Sequence, residues 1–252
     1  MERYLIPANG PETAPIIKAL QMATEHGQKL GVIVEVVLLT PSKNLTGSSF
    51  EQVVGNKVVK ELEKGNSIKL TDSVSIKMES ERTINVYSTH PIVIALYANQ
   101  KMLDKIDSLS GTLHAIIVPW TMIEVQDWIG TWRPMVIGER VAQTEIKITN
   151  PVVEEAMKML TGSVNLSTGL NHPSDKAAAV ELFRLLYNGR EEFDPTSIRA
   201  WALLHGWNPK GADQIRDVAE AIINRRPIRG GTHPHWRVDI LDVLRKRTTQ
   251  KS

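Results

Sequence analysis

The apolar positions of this chain follow two spacings in turn and then settle on one. Over the first 150 residues, short and nearly unbroken apolar runs alternate with stretches in which apolar side chains recur every three or four positions. Arg3-Tyr4-Leu5-Ile6 is the first run, and it stops at Pro7-Ala8-Asn9-Gly10-Pro11, a dense turn signal. Ile16, Ile17, Leu20, Met22 and Ala23 then keep helical spacing as far as His26-Gly27, where the glycine suits the position just past a helix. Residues 32–39 are rich in β-branched side chains and interrupted only by Glu35, which predicts a buried strand. Strand, helix and strand within about forty residues make a βαβ unit, and such units cross over right-handed in parallel sheets.

The alternation continues. Ser49-Phe50-Glu51-Gln52 reads as a capping box opening a helix that carries Val53, Val54, Val58, Val59 and Leu62 and closes at Gly65. Residues 68–70 and 74–78 alternate with period two around Thr71-Asp72-Ser73, predicting a hairpin or edge strands. Residues 92–98 form another buried run, with Asn99 as N-cap of a helix over 101–109. A strand over 113–118 ends at Pro119, and Thr121-Met122-Ile123-Glu124 is a second capping box. Strands alternating with helices predict an α/β class for residues 1–150: a Rossmann-like three-layer sandwich with a mostly parallel sheet.

From Pro151 onward the spacing is helical throughout. Val152, Val153, Ala156, Met157 and Leu160 share one face, and the small polar stretch 161–173 with its Val164, Leu166 and Leu170 reads as an ordered loop. Ser174 is the expected cap of the next helix, and Asp194-Pro195 is an N-cap followed by proline at N1. The turn Trp207-Asn208-Pro209-Lys210-Gly211 leads into a helix bearing Ala212, Ile215, Val218, Ala219 and Ile222, and residues 236–247 read as the last helix. An all-α subdomain over residues 151–252 follows, with short connections that imply close neighbours.

Composition narrows the chemistry. The 252 residues contain no cysteine, which excludes a disulfide scaffold, a thiolate zinc site and a cysteine nucleophile. The N-terminus runs straight into a core strand, and no apolar stretch approaches the ~20 residues of a membrane span. A soluble, cytoplasmic protein with no membrane partner is expected. The patterns of a P-loop NTPase, a dinucleotide oxidoreductase, a zincin and an α/β-hydrolase are all missing from the sequence. No cofactor follows from the residues.

In open α/β sheets ligands sit beyond the carboxyl ends of the strands. Residues 7–13, 40–47 and 119–121 occupy such positions, so Asn9, Gly10, Thr13, Thr40, Trp120 and Thr121 are the candidate ligand contacts. A strand ending in Pro7 before a short polar turn and a helix resembles the strand-end turn of universal-stress-type nucleotide-binding α/β proteins. The resemblance spans about the first forty residues and bears on fold, because the glycine-rich phosphate loop of the ATP-binding members is missing. Trp120, Trp128, Trp132 and Arg133 form an aromatic-rich segment that either packs a helix onto the sheet or lines a site.

Three further clusters have plainer readings. His233-Pro234-His235 with Asp239 could supply metal ligands, but a turn with exposed imidazoles accounts for it equally. His172-Pro173-Ser174-Asp175-Lys176 reads as a helix start rather than a catalytic set. Charge is uneven: residues 225–252 carry a net +6 against −3 for 151–224 and −1 for 1–150. Arg225, Arg226, Arg229, Arg237, Arg245 and Arg247 therefore form a candidate nucleic-acid or partner contact next to a helix-turn-helix-like segment, 195–224. Asp213, Asp217 and Glu220 on its second helix oppose phosphate contact.

The expected function is binding: an α/β domain holding a small ligand such as a nucleotide, or docking a protein partner, with the helical part mediating interaction. The alternative is a nucleic-acid-associated protein working through the basic tail. An enzyme using Glu124 or Asp127 at the strand ends is a third reading.

Overall fold

The computed structural model describes residues 1–228 and 235–249. The chain divides into two compact units, Met1–Thr144 and Glu145–Ser252.

The first unit is α/β. In chain order it runs β1 (Glu2–Leu5), α1 (Ala14–Lys29), β2 (Val34–Thr40), α2 (Ser49–Val54), α3 (Asn56–Glu63), β3 (Ile68–Lys69) and β4 (Val74–Ser80). It continues with β5 (Ile92–Ala98), α4 (Gln100–Asp107), β6 (His114–Pro119), a 3₁₀ turn at Met122–Val125, α5 (Gln126–Trp132) and β7 (Met135–Val136). Among the described residues these strands form one sheet in the order β3-β4-β2-β5-β6-β1-β7. Every pairing is parallel except the short β3–β4 hairpin at one edge.

Period-two alternation explains why both faces of this sheet are covered. Val36, Leu38, Ile94 and Ile116 face α1–α3, where Ile16, Met22, Phe50, Val59 and Leu62 meet them. Their neighbours Val37, Leu39, Val93 and Ile117 face α4 and α5, packed against Met102, Leu103, Ile106, Trp128 and Ile129. Strands buried on both sides have no room for a polar position, hence the continuous apolar runs.

Several boundaries differ from the sequence reading. The second strand begins at Val34, leaving Val32 and Ile33 exposed before it. The helix expected over residues 49–64 is broken at Gly55 (φ +85°), and its cap is Ser48, whose hydroxyl accepts the Glu51 N–H. Glu51 in turn accepts the N–H of Gly47, so the capping interaction is real but sits one residue earlier.

The second unit is helical: α6 (Pro151–Thr161), α7 (Pro173–Asn188), α8 (Pro195–Leu204), α9 (Pro209–Ile223) and α10 (Ile240–Thr249). The first four of these start alike. Asn150, His172, Asp194 and Asn208 each accept a backbone N–H of the first turn, and each is followed by proline at N1. Such a cap contributes about 1 kcal/mol, and the proline gives up an N–H that had no helical partner. His172, not Ser174, therefore caps α7: its Nδ1 accepts the Ser174 N–H. The helix α9 begins at Pro209 rather than at Ala212, and the last begins at Ile240 rather than 236.

The stretch 161–173 is an ordered loop pinned to α9. Asn208 donates to the carbonyls of Leu166 and Ser167, and Gln214 accepts the Leu170 N–H at 2.8 Å. Gly169 (φ +59°) lies so close to α9 that a Cβ on it would come 2.6 Å from the Gly211 Cα.

Candidate functional site

The chain reverses its winding direction between β2 and β5. After β2 it crosses to α2 and α3 on one face; after neighbouring β5 it crosses to α4 on the other. Diverging connections leave a crevice beyond the carboxyl ends of these strands, the position at which open α/β sheets bind ligands.

Tyr97 occupies that crevice in an uncommon conformation. Its φ of +58° is left-handed, and the β5–β6 register shifts between Leu96 and Ala98. A non-glycine residue held there costs of order 1–3 kcal/mol. The phenol is anchored: its oxygen lies 2.9 Å from Ser49 Oγ and accepts the Phe50 N–H at 3.2 Å. Its ring meets the Trp120 indole edge-on, with centroids 5.5 Å apart and planes 75° apart. Trp120 remains 42% exposed, whereas Trp128 is buried in the core between α5 and the sheet.

The turn after β1 closes on the same edge. Gly10 (φ +86°) donates its N–H to the Trp120 carbonyl at 2.8 Å, tying the end of β1 to the end of β6. Beside it opens a groove of about 610 Å³, with Ile6, Pro7, Ala8 and Ile137 as its apolar lining and Asn9, Glu12, Lys18 and Glu139 as its polar one. The first turn of α1 contributes Ala14 and Pro15 to this groove; Thr13 precedes it and makes no side-chain cap.

The structure thus gathers Asn9, Gly10, Thr13, Trp120 and Thr121 along one edge. Asn9 and Trp120 are exposed, and Gly10, Thr13 and Thr121 are half-buried. Thr40 is fully buried, and its hydroxyl donates to the Ser42 carbonyl at 2.7 Å, so it shapes the turn after β2. The loop after it is already satisfied by carboxylates: Glu63 accepts the N–H groups of Leu45 and Thr46 and the Thr46 hydroxyl. Burial alone would raise the Glu79 carboxyl, but the Thr83 hydroxyl and Lys43 outweigh it and hold it below the usual range. Lys43 is 3.1 Å from that carboxylate.

Glu124 accepts the Thr121 N–H, which gives that carboxylate a capping role, while Asp127 stands exposed in the first turn of α5. Tyr97 and Ile137 escaped the sequence reading. Nothing in the apolar run 92–98 marks one member as left-handed, and residue 137 follows a strand of two residues.

In the helical unit most of the candidate arginines have intramolecular partners. Arg225 donates to the Tyr187 hydroxyl at 3.2 Å, and Arg226 lies 3.6 Å from Glu220. Arg237 pairs with Asp239, and Arg245 with Glu191 and the Gly189 carbonyl. Arg247 is exposed in the last turn of α10. Arg229 and His233 lie outside the described residues, and His235 is exposed with its N–H donated to Glu181. Among the described residues no three His, Asp or Glu side chains are grouped to hold a metal ion, and no helix is long and apolar enough to cross a membrane.

Residues 149–245 match one family model. It is described as a domain of unknown function, DUF1889. The matched segment lies within the helical unit. No curated protein and no solved structure matches the chain.

Proposed function

We propose that the α/β unit binds a small molecule at the carboxyl edge of its sheet, and that the helical unit engages a partner. The observation that carries the first half is the groove of about 610 Å³ beside the Gly10–Trp120 hydrogen bond. Its volume falls in the range of small-molecule sites, and polar and apolar groups share its lining about equally. The groove lies at the carboxyl end of the sheet, beyond β1 and β7, and apart from the switch between β2 and β5.

The polar lining bears on what is bound. Lys18 favours a negative group at the α1 end of the groove, while Glu12 and Glu139 oppose a heavily charged one. A ligand with little net charge fits better than a nucleoside triphosphate. Thermal-shift measurements with nucleosides, nucleotides, amino acids and other metabolites test the reading. At least one compound is expected to raise the melting temperature, with the shift reduced in Asn9→Ala and Lys18→Ala. A panel without any shift overturns it.

A further inference from the structure

The geometry points to an aromatic platform, Trp120 supported by Tyr97, that stacks a planar, uncharged heteroaromatic ring. The inference rests on the reading that the carboxyl edge binds a small molecule, and it names the class of that molecule.

Three observations support it independently of the groove. First, the left-handed Tyr97 backbone and the register shift beside it are unfavourable for an aromatic residue, so the surrounding structure holds them in place. Second, the phenol oxygen is fixed by Ser49 and Phe50, which leaves the ring little freedom beneath Trp120. Third, the indole supported in this way is still 42% exposed, while Trp128, Trp201 and Trp207 are buried. An indole that packs edge-on against a fixed ring and stays part-exposed offers a surface on which flat rings stack, and stacking tolerates any base because every base has a π-face.

The absence of charge on the ligand follows from the β2 side of the crevice. A phosphate needs unpaired N–H groups or cations. Here the N–H groups of Leu45 and Thr46 are bound by Glu63, that of Gly47 by Glu51, and Lys43 is 3.1 Å from Glu79. Added phosphate charge would meet carboxylates that already occupy the donors.

The test uses the whole chain labelled with 5-fluorotryptophan, its Trp120 signal assigned by Trp120→Phe, and titrated by ¹⁹F NMR. The probes are adenosine, guanosine, uridine and riboflavin, with ATP and ribose 5-phosphate as the charged counterparts. A ring probe is expected to move the Trp120 signal saturably, to bind about tenfold more weakly to Trp120→Ala, the size of one base–aromatic stack, and to bind better than ATP. Tyr97→Phe keeps the ring but frees it, and is expected to weaken the same probe less than Trp120→Ala does. If no ring probe moves the signal, if Trp120→Ala binds as well as the parent, or if ATP binds more tightly than adenosine, the proposal is overturned. A metabolite that raises the melting temperature without moving the Trp120 signal would refute the platform and leave the groove standing. A panel with no thermal shift at all would refute the groove itself.

Discussion

The indole Nε1 of Trp132 donates to the buried carboxylate of Asp107 at 2.9 Å. Arg3 completes the arrangement: it pairs with the other carboxylate oxygen at 3.0 Å and lies 3.5 Å over the Trp132 ring. Burial pushes the Asp107 carboxyl up, and Arg3 and the indole N–H act against that push. Removing one member of a buried pair leaves the other uncompensated. Asp107→Ala is expected to destabilise the α/β unit by about 3 kcal/mol in urea denaturation. Arg3→Lys keeps the charge but loses the planar group over the ring and should cost about 1 kcal/mol.

A second prediction concerns pH. The imidazoles of His26 and His114 stack with centroids 4.1 Å apart, beside Tyr4 and within reach of Glu2. Burial, then the nearby His114 and Lys29, hold His26 below its ordinary 6.5, with Glu2 and Glu25 pulling the other way. The unfolded chain therefore takes up the His26 proton more readily than the folded one. The stability this contributes is complete above pH 6.5 and falls as the pH drops through that value. Melting temperatures recorded from pH 8 to pH 5 should decline less steeply in His26→Gln than in the parent.

The close approach of the 161–173 loop to α9 gives a third. An alanine methyl at position 169 would meet the Gly211 Cα at 2.6 Å, on a backbone with φ +59°. Backbone atoms cannot swing aside as a flexible side chain does, so Gly169→Ala should cost the helical unit about 2 kcal/mol or more. Thermal unfolding followed by circular dichroism measures it, with the exposed Gly162→Ala as the tolerated control.

Glu63 gives the fourth. One of its carboxylate oxygens accepts the N–H groups of Leu45 and Thr46. In Glu63→Ala the Leu45 amide loses this acceptor, whereas the Thr46 N–H keeps Asn44 Oδ1 at 3.2 Å. Hydrogen exchange at Leu45 should accelerate at least about tenfold while the amides of β5 stay protected. Unchanged exchange at Leu45 would mean that something else holds the loop.

What was readable in the sequence was whatever a local pattern decides. The two-sided burial of β2 and β5 was visible in their apolar runs, and Asp194 and Asn99 were visible as caps because side-chain type and position agree there. His172 was not, since histidine is an unusual cap and the adjacent Ser174 is a common one. Ser48 and Ser49 are chemically equivalent, and the backbone conformation that separates them belongs to the fold. Thr40 was placed correctly at a strand end, but its burial depends on the turn through Ser42 and on β4 alongside. The strand ends alone placed Asn9, Gly10, Trp120 and Thr121 at the carboxyl edge of the sheet. Tyr97 was hidden because its role depends on a register shift between two strands, a relation that no window of sequence contains.

The placement of β1 has a consequence for how the molecule is made. Its partners in the sheet are β6 and β7, with Leu5 level with Ile117 and Val136. During synthesis β1 therefore has no partner strand until more than a hundred further residues have been made. β2 and β4, by contrast, can pair soon after they emerge. Contacts between such distant parts of a chain form late. The edge that holds Gly10 against Trp120 is thus among the last parts of the sheet to close, and any fragment ending before β6 leaves the N-terminal strand without its partners.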